Sequence, residues 1–117
     1  MTYYTIRMYD RHSFAQLVKD TDKTIFVKFS ATWCAPCKQI KQFVDKAFGD
    51  IQSKALCLEI DIDESVDLYA MLKMKRMVNG VPTILCYNSE NDSIYPDDSI
   101  SGTDIAAIQR FLDENIE

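Results

Sequence analysis

Two patterns of apolar and polar residues, one typical of strands and one typical of helices, alternate along this chain. Short runs rich in apolar, aromatic and β-branched residues are typical of strands, and they cover residues 3–8, 25–30, 55–62 and 83–87. Segments in which apolar residues return every three or four positions are typical of helices, and they cover residues 13–19, 38–48, 65–78 and 103–116. Strands that alternate with helices and then close with a hairpin predict an α/β fold whose central sheet is covered on both faces.

A few residues indicate where these elements begin and end. Ser13, with Gln16 three positions later, is typical of a capping box at the start of a helix. Gly49 is predicted to end the second helix. Residues 88–98 are polar, and Pro96 restricts any strand in this segment to the edge of the sheet.

Size and charge narrow the class of protein. The 117 residues suffice for one domain, spanning residues 1–117, with a core that needs no structural disulfides. The net charge of −5 argues against nucleic-acid binding, which requires a basic surface. No apolar run approaches the ~20 residues of a membrane span, and residues 1–7 lack the apolar stretch of a signal peptide. We therefore expect a cytoplasmic protein whose cysteines are thiols unless they are catalytic.

The most specific chemical motif is Trp33-Cys34-Ala35-Pro36-Cys37, which lies between a predicted strand and a predicted helix. Two cysteines at this spacing can form a disulfide with each other, and the positive end of the helix favours the thiolate of Cys34. Pro36 fits the first helical turn because N–H groups there are unpaired anyway. The alternative is half of a zinc site, but the chain has no second Cys-x-x-Cys pair and its single histidine is distant in sequence. The motif therefore indicates thiol–disulfide exchange.

Four segments, spaced along nearly the whole chain and in the same order, resemble the thioredoxin family. Residues 27–38 resemble its active-site segment, residues 58–63 its third strand, residues 80–83 its cis-proline loop and residues 101–102 the glycine before its last helix. The resemblance implies a thioredoxin fold, with a central mixed sheet of about five strands flanked by about four helices. It also implies a redox-active Cys34–Cys37 disulfide and no bound cofactor.

The resemblance also implies roles for individual residues. Cys34 would attack a substrate disulfide, and Cys37 would resolve the resulting mixed disulfide. The substrate-binding residues would be Trp33, Val81, Pro82 and Gly102, with a cis Val81–Pro82 peptide bond against the cysteine pair. The alternatives are that Trp33 is a core aromatic and that Pro82 is an ordinary turn proline.

The chain departs from the family at several positions. Lys28 stands where thioredoxins usually carry a buried carboxylate, and Glu59 stands on the neighbouring strand. Our hypothesis is that Lys28 and Glu59 form a partly buried ion pair behind the active site, where the cation lowers the thiol pKa values or serves as a base. The alternative is that Lys28 extends to solvent. Ala35 replaces the usual glycine between the cysteines and stiffens the turn, and the segments 63–82 and 88–98 are longer than usual.

Other repeated residue types have simpler interpretations. Buried, inert thiols are the favoured interpretation of Cys57 and Cys86, with a regulatory disulfide between them as the alternative. The packing residues of the third helix are predicted to include Met71, Met74 and Met77. The solvated face of the second helix is predicted to include Lys38, Lys41 and Lys46.

The function that the resemblance implies is the reduction of disulfides in other proteins by a monomeric enzyme of electron transport and cell redox homeostasis. An NADPH-dependent thioredoxin reductase would regenerate its dithiol. One alternative is a disulfide oxidase or isomerase on the same fold, but such relatives commonly carry a histidine between the cysteines, where this chain has Ala35 and Pro36. The other alternative is a non-enzymatic subunit of a larger complex.

Overall fold

The computed structural model describes the backbone of Thr5 and Ile6 and the whole of residues 8–117. Within these residues the chain forms a five-stranded mixed sheet of spatial order β1-β3-β2-β4-β5. Strand β1 is parallel to β3, and β3 is parallel to the central strand β2. Strand β4 is antiparallel to β2, and β5 is antiparallel to β4. The strands are β1 Thr5–Ile6, β2 Thr24–Ser30, β3 Ala55–Asp61, β4 Thr83–Tyr87 and β5 Asp98–Ser101.

Helices cover both faces of the sheet, as the alternating pattern predicts. They are α1 Arg11–Asp20, α2 Ala35–Ile51, α3 Val66–Met74 and α4 Ile105–Asn115. Successive side chains of β2 point to opposite faces, so Val27 and Phe29 pack against α1 and α3 while Phe26 packs against α2 and α4. No helix within the described ranges is long and apolar enough to cross a bilayer.

The predicted α/β architecture is confirmed, with shifts at some element ends. The first strand is present, but residues 3, 4 and 7 of its predicted range lie outside the described residues. The closing hairpin is formed by β4 and β5, and β5 follows Pro96 at the edge of the sheet. The prediction that Gly49 ends the second helix is wrong. Helix α2 continues to Ile51 because Phe48 is buried and Ile51 packs against the same core, which outweighs the low helix propensity of glycine.

The predicted cap of the first helix is shifted by one helical turn. Asp10, and not Ser13, is the N-cap of α1, and its carboxylate accepts a hydrogen bond of 2.7 Å from the Ser13 backbone N–H. The Ser13 hydroxyl in turn accepts from the Asp10 backbone N–H, which completes a capping box. These hydrogen bonds lower the pKa of Asp10.

Helix α3 is shorter than predicted because the backbone reverses at Arg76. Arg76 has a φ of 63°, in the left-handed region where a glycine normally ends a helix. The N–H of Arg76 donates to Lys73 and the N–H of Met77 donates to Leu72, so the helix closes after Met74. The interpretation of Met74 as a packing residue is wrong, since its side chain is 73% exposed.

We expect Arg76→Gly to raise the free energy of unfolding by about 0.5–1 kcal/mol. The left-handed conformation costs a non-glycine residue about 1–2 kcal/mol, and the extra freedom of glycine in the unfolded chain returns roughly half of that gain. Urea denaturation measures the change. Lys75→Gly is the matched control, because Lys75 has an ordinary φ of −83° and its replacement should only destabilise. Equal effects of the two substitutions would contradict the assignment of strain to Arg76.

Candidate active site

Cys34 occupies the junction between the central strand and the helix that follows it. It is the N-cap of α2, and its Sγ accepts a hydrogen bond of 3.1 Å from the backbone N–H of Cys37. Sulfur at this position therefore faces unpaired N–H groups and the positive end of a helix of 17 residues. Both contributions favour a thiolate, which is the reactive form of cysteine.

Cys34 and Cys37 form a disulfide, with their Cα atoms 5.3 Å apart. Both residues are buried, at 4% and 3% exposure, so burial does not distinguish them. The two cysteines differ in the groups that surround them. Cys34 Sγ lies 3.8 Å from the carbonyl oxygen of Val81, whereas Cys37 lines a cleft behind the disulfide.

The predicted cis Val81–Pro82 peptide bond is confirmed, and it lies against the cysteine pair. Val81 is half-buried, and within the described residues its backbone N–H and carbonyl make no hydrogen bond to other backbone groups. Pro82 is buried and so exposes little surface of its own. Its carbonyl accepts a hydrogen bond of 3.2 Å from Gly102, which places Gly102 beside this loop. Gly102 has a φ of 99° that side-chain-bearing residues rarely adopt.

The residues on either side of Cys34 face solvent. Trp33 is 65% exposed, which contradicts the core alternative, and its Nε1–H donates a 2.8 Å hydrogen bond to Asp63. Ala35 and Pro36 are also exposed and form the first turn of α2. The disulfide therefore lies just below a surface that the indole ring and this turn frame.

Lys28 and Glu59 form the predicted ion pair. The two residues face each other in the parallel register of β2 and β3, and Lys28 Nζ lies 3.0 Å from Glu59 Oε1. Their side chains are 1% and 8% exposed. The alternative in which Lys28 extends to solvent is therefore wrong.

A cleft of about 390 Å³ connects this ion pair to the Cys37 side of the disulfide. Lys28, Glu59 and Cys37 all line it, together with Lys41 and polar residues from β2, from β3 and from the segments that follow these two strands. Lys41 Nζ lies 3.2 Å from Asp45 and 3.5 Å from Glu59. Burial alone would lower the pKa of Lys41, but the carboxylates of Glu59 and Asp45 outweigh it and the net shift is upward. The interpretation of Lys41 as part of a solvated face is incomplete, because it also neutralises Glu59.

We expect Lys28→Met to raise the pKa of the active-site thiols in the reduced protein. An ammonium group that shares a cleft with Cys37 stabilises its thiolate, and methionine removes the charge while keeping the length of the side chain. The pH dependence of alkylation by iodoacetamide measures the change. Lys46→Met is the control, since Lys46 pairs only with Asp50 in the described part of the chain. An unchanged alkylation profile in Lys28→Met would contradict the electrostatic role.

Cys57 and Cys86 lie in the strands on either side of β2. Both face Phe26 in register, so two strand spacings of about 4.8 Å separate them, which is too far for a disulfide. Both are free and buried, and burial raises the pKa of each thiol to about 12. The alternative of a regulatory disulfide between them is therefore wrong.

We expect alkylation of the reduced, native protein to label Cys34 and to leave Cys57 and Cys86 unmodified. A thiol with a pKa near 12 is almost wholly protonated at pH 7.5, and both cysteines are buried in the core that α2 and α4 form with the sheet. Peptide mass spectrometry after a short iodoacetamide pulse locates the label, and the same pulse in urea is the control that should modify all the thiols. Labelling of Cys57 at the rate of Cys34 would contradict this assignment.

Sequence reasoning missed one residue of the site, Asp63, and one contact, the ion pair of Lys41 with Glu59. Lys41 could have been found, because it lies four residues after Cys37 and so on the same face of α2. The contact of Asp63 with Trp33 crosses 30 residues of sequence and leaves no local signal. No group of three or more residues able to hold a metal ion occurs among the residues that the structure describes.

Comparison with known proteins gives a consistent result. The sequence matches the family model for thioredoxin over residues 5–114. It is 34% identical to thioredoxin of Pseudomonas aeruginosa over 104 residues, which cover 89% of this chain and 90% of that protein. It is 32% identical to thioredoxin-2 of Saccharomyces cerevisiae over 95 residues, which cover 81% of this chain and 83% of that protein.

The structure agrees with the sequence comparison. Thioredoxin of Trichomonas vaginalis superposes with a TM-score of 0.81 over 97% of this chain and 98% of that chain, and at 18% identity this likeness shows the fold alone. Together with the disulfide at the start of α2, these matches establish a thiol–disulfide reductase activity. The chain belongs to the thioredoxin family.

Proposed function

We propose that this protein reduces disulfides in other proteins, with Cys34 as the nucleophile and Cys37 as the resolving cysteine. The observation that carries this assignment is the position of Cys34 as the N-cap of α2, where its sulfur accepts the Cys37 N–H and lies beside Val81. The positive helix end and the N–H hydrogen bond stabilise a thiolate on Cys34.

The reaction proceeds by two exchanges in which electrons and protons balance. The Cys34 thiolate attacks one sulfur of the substrate disulfide, which forms a mixed disulfide and releases the second substrate sulfur as a thiolate. Cys37 then loses its proton and attacks Cys34, so the Cys34–Cys37 disulfide forms and the first substrate sulfur leaves as a thiolate. The substrate gains two electrons, which the protein loses, and the proton of Cys37 with one proton from solvent converts the two released thiolates to thiols.

The loop that contains Val81 supports a role in substrate binding. Within the described residues the backbone N–H and carbonyl of Val81 make no hydrogen bond to other backbone groups, so an extended peptide can pair with them while its disulfide meets Cys34. Trp33 provides an exposed aromatic surface beside the nucleophile. Buried Pro82 positions Val81, and the Gly102 N–H donates a hydrogen bond to the Pro82 carbonyl that fixes the neighbouring turn.

We extend the proposal to the electron donor and the compartment. A disulfide formed in each cycle needs a two-electron donor, and family membership supports an NADPH-dependent thioredoxin reductase in this role. Two free thiols in the core support a reducing compartment such as the cytoplasm. The chemistry needs no cofactor on this chain, because the cysteine pair itself carries the electrons.

The test is a reduction assay combined with a measurement of redox potential. The wild-type protein, with dithiothreitol as donor, should accelerate the reduction of insulin disulfides. Equilibration in thiol buffers, followed by fluorescence of the single tryptophan, Trp33, should give a potential near the ~−270 mV typical of thioredoxins. A potential near ~−180 mV or above would indicate a disulfide oxidase or isomerase instead. A protein without activity in the assay would indicate a non-enzymatic subunit.

A further inference from the structure

The cleft beside the disulfide brings Cys37 together with three carboxylates. Cys37 lines it from α2, Glu59 and Asp61 line it from β3, and Glu64 lines it from the segment after β3. Cys37 and Glu59 are buried, at 3% and 6% exposure, whereas Asp61 is half-buried and Glu64 is exposed. Cys37 has to lose a proton before it can attack a disulfide. Because Cys37 is shielded from bulk solvent, that proton leaves through groups inside the cleft.

Glu59 has the capacity to accept this proton. A carboxylate offers about four acceptor positions. Lys28 donates to Oε1 at 3.0 Å and Lys41 donates to Oε2 at 3.5 Å, and these are its side-chain hydrogen bonds within the described residues. About two acceptor positions are therefore left for water in the cleft. The volume of about 390 Å³ is sufficient for such water, since one molecule occupies about 30 Å³.

Lys28 is less suited to accept the proton. Its side chain is 1% exposed, and its ammonium group pairs with Glu59. An ammonium group has three donors and no acceptor, so it can take up a proton only after it has lost one. Loss of a proton from Lys28 would also break the ion pair. The pair therefore provides its free lone pairs on Glu59, while Lys28 holds the carboxylate in place.

Helix α2 connects Glu59 to Cys37. Lys41 follows Cys37 by four residues, so the two side chains lie on the same face of α2, about one turn apart. Lys41 Nζ in turn contacts Glu59. The face of α2 that carries Cys37 therefore lies over the part of β3 that carries Glu59, and both side chains open into the same cleft. Water in this cleft can connect the thiol to the carboxylate.

The surroundings of Glu59 contain no competing buried carboxylate among the described residues that line the cleft. Lys28 faces Glu59 from β2 and Lys41 faces it from α2, where Asp45 lies 3.2 Å from Lys41. Strand β1 has Ile6 in register with Glu59, β4 has Ile84 in register with Lys28, and α4 contributes apolar residues to the core on this face. The other charged residues that line the cleft are Lys38, Asp61 and Glu64.

We propose that Glu59 is the proton acceptor for Cys37 and that Lys28 and Lys41 position its carboxylate. This inference rests on the proposed function, since it concerns the step in which Cys37 resolves the mixed disulfide. Thioredoxins usually carry a buried carboxylate at the position of Lys28. In this chain the acceptor lies one strand away, on β3.

The proton and the electron pair follow separate routes in this step. The Cys37 thiol gives its proton to a water molecule in the cleft, and that water gives a proton to Glu59. The Cys37 thiolate then attacks the sulfur of Cys34, so the Cys34–Cys37 bond forms and the bond between Cys34 and the substrate breaks. The substrate sulfur leaves with the electron pair. Glu59 releases its proton through the cleft to solvent, from which the substrate thiolate takes up a proton.

Reaction with dithiobis(nitrobenzoate), an aromatic disulfide, separates the two exchanges. Attack by Cys34 releases one thionitrobenzoate ion and leaves a mixed disulfide, and attack by Cys37 then releases a second ion. After stopped-flow mixing of the reduced protein with excess reagent, the first phase of absorbance measures attack by Cys34. The second phase measures resolution by Cys37. The first phase also checks that the active site is folded.

The decisive comparison is between Lys28→Met and the double variant Lys28→Met with Glu59→Gln. Both lack the Lys28 cation, so its effect on the thiol pKa values cancels, and the two proteins differ in the carboxylate alone. At pH 7 we expect the second phase of the double variant to be about tenfold slower or more, while the first phase changes less than about twofold. The difference should vanish at high pH, because hydroxide then removes the Cys37 proton directly.

Three further variants serve as controls. Asp61→Asn and Glu64→Gln remove the other carboxylates of the cleft and should change either phase by less than about twofold, since both residues are more exposed than Glu59. The asparagine can still accept the Asp63 N–H that Asp61 accepts. Lys28→Met with Glu59→Leu repeats the comparison if the glutamine variant does not fold, because exchange of a buried ion pair for apolar residues is often neutral or stabilising.

Each outcome decides between named groups. Equal second phases in Lys28→Met and its double variant would overturn the role of Glu59 and leave the proposed function intact, and if both were slow, Lys28 would be the acceptor. A slow second phase in Asp61→Asn would assign the proton to Asp61. Release of a single thionitrobenzoate ion by the wild-type protein at every pH would overturn the proposed function as well, since Cys37 would then resolve nothing.

Discussion

Cys34→Ser is expected to lower the rate of protein-disulfide reduction on the order of 100-fold or more, to the background rate of the small-molecule donor. A serine hydroxyl at the N-cap of α2 still accepts the Cys37 N–H, so the helix should begin normally. The hydroxyl does not ionise at neutral pH and cannot attack a disulfide. Insulin reduction with dithiothreitol measures the loss, and circular dichroism checks the fold.

Cys37→Ser should differ from Cys34→Ser in a way that burial alone does not predict. Cys34 can still attack in this variant, but no thiol resolves the product, so a mixed disulfide with the substrate should accumulate and be visible on non-reducing gels. Cys57→Ala is the control and should retain activity, because Cys57 is a protonated thiol in the core. Accumulation of the mixed disulfide in Cys34→Ser instead would reverse the two roles.

Glu59→Gln is expected to lower the free energy of unfolding by about 3 kcal/mol, the larger of our two stability effects. The substitution keeps the shape of the side chain but leaves the ammonium of Lys28, which is 1% exposed, without a carboxylate partner. Lys41 cannot compensate, since it is a second cation at the same carboxylate. Urea denaturation at pH 7 gives the value.

Two variants separate the cost of an unpaired charge from the cost of altered packing. Lys28→Met should destabilise the protein less than Glu59→Gln, because the carboxylate left behind still has Lys41 at 3.5 Å. The double variant Lys28→Met with Glu59→Leu removes both charges, and exchange of a buried ion pair for apolar residues is often neutral or stabilising. If the double variant were as unstable as Glu59→Gln, packing rather than charge would explain the loss.

The active-site motif could be predicted from the sequence because its chemistry is local. A Cys-x-x-Cys pair at a strand-to-helix junction places both sulfurs within reach of each other, whatever the remaining chain does. The resemblance added the cis Val81–Pro82 bond, which no local pattern reveals. The exact limits of α2 and α3 could not be predicted, since burial of Phe48 and the backbone reversal at Arg76 decided them.

The Lys28–Glu59 pair shows where sequence reasoning needs tertiary structure. The positions of the two residues on neighbouring predicted strands suggest the pair, but a Lys28 side chain that extends to solvent is also compatible with the sequence. The parallel register of β2 and β3 settles the matter by setting the two residues opposite each other beneath helix α2. Residues 31 positions apart become partners only once the sheet has formed.

The sequence by itself determined the alternation of strands and helices, the position of the reactive cysteine pair and the acidic net charge, because each depends on neighbouring residues or on composition alone. Only the tertiary structure decided which polar groups meet. The contacts of Trp33 with Asp63, Lys41 with Glu59 and Lys75 with Tyr95 join separate elements of the fold. The distance within each of these pairs depends on how helices and loops pack on the sheet, and the sequence between the two partners does not indicate that packing.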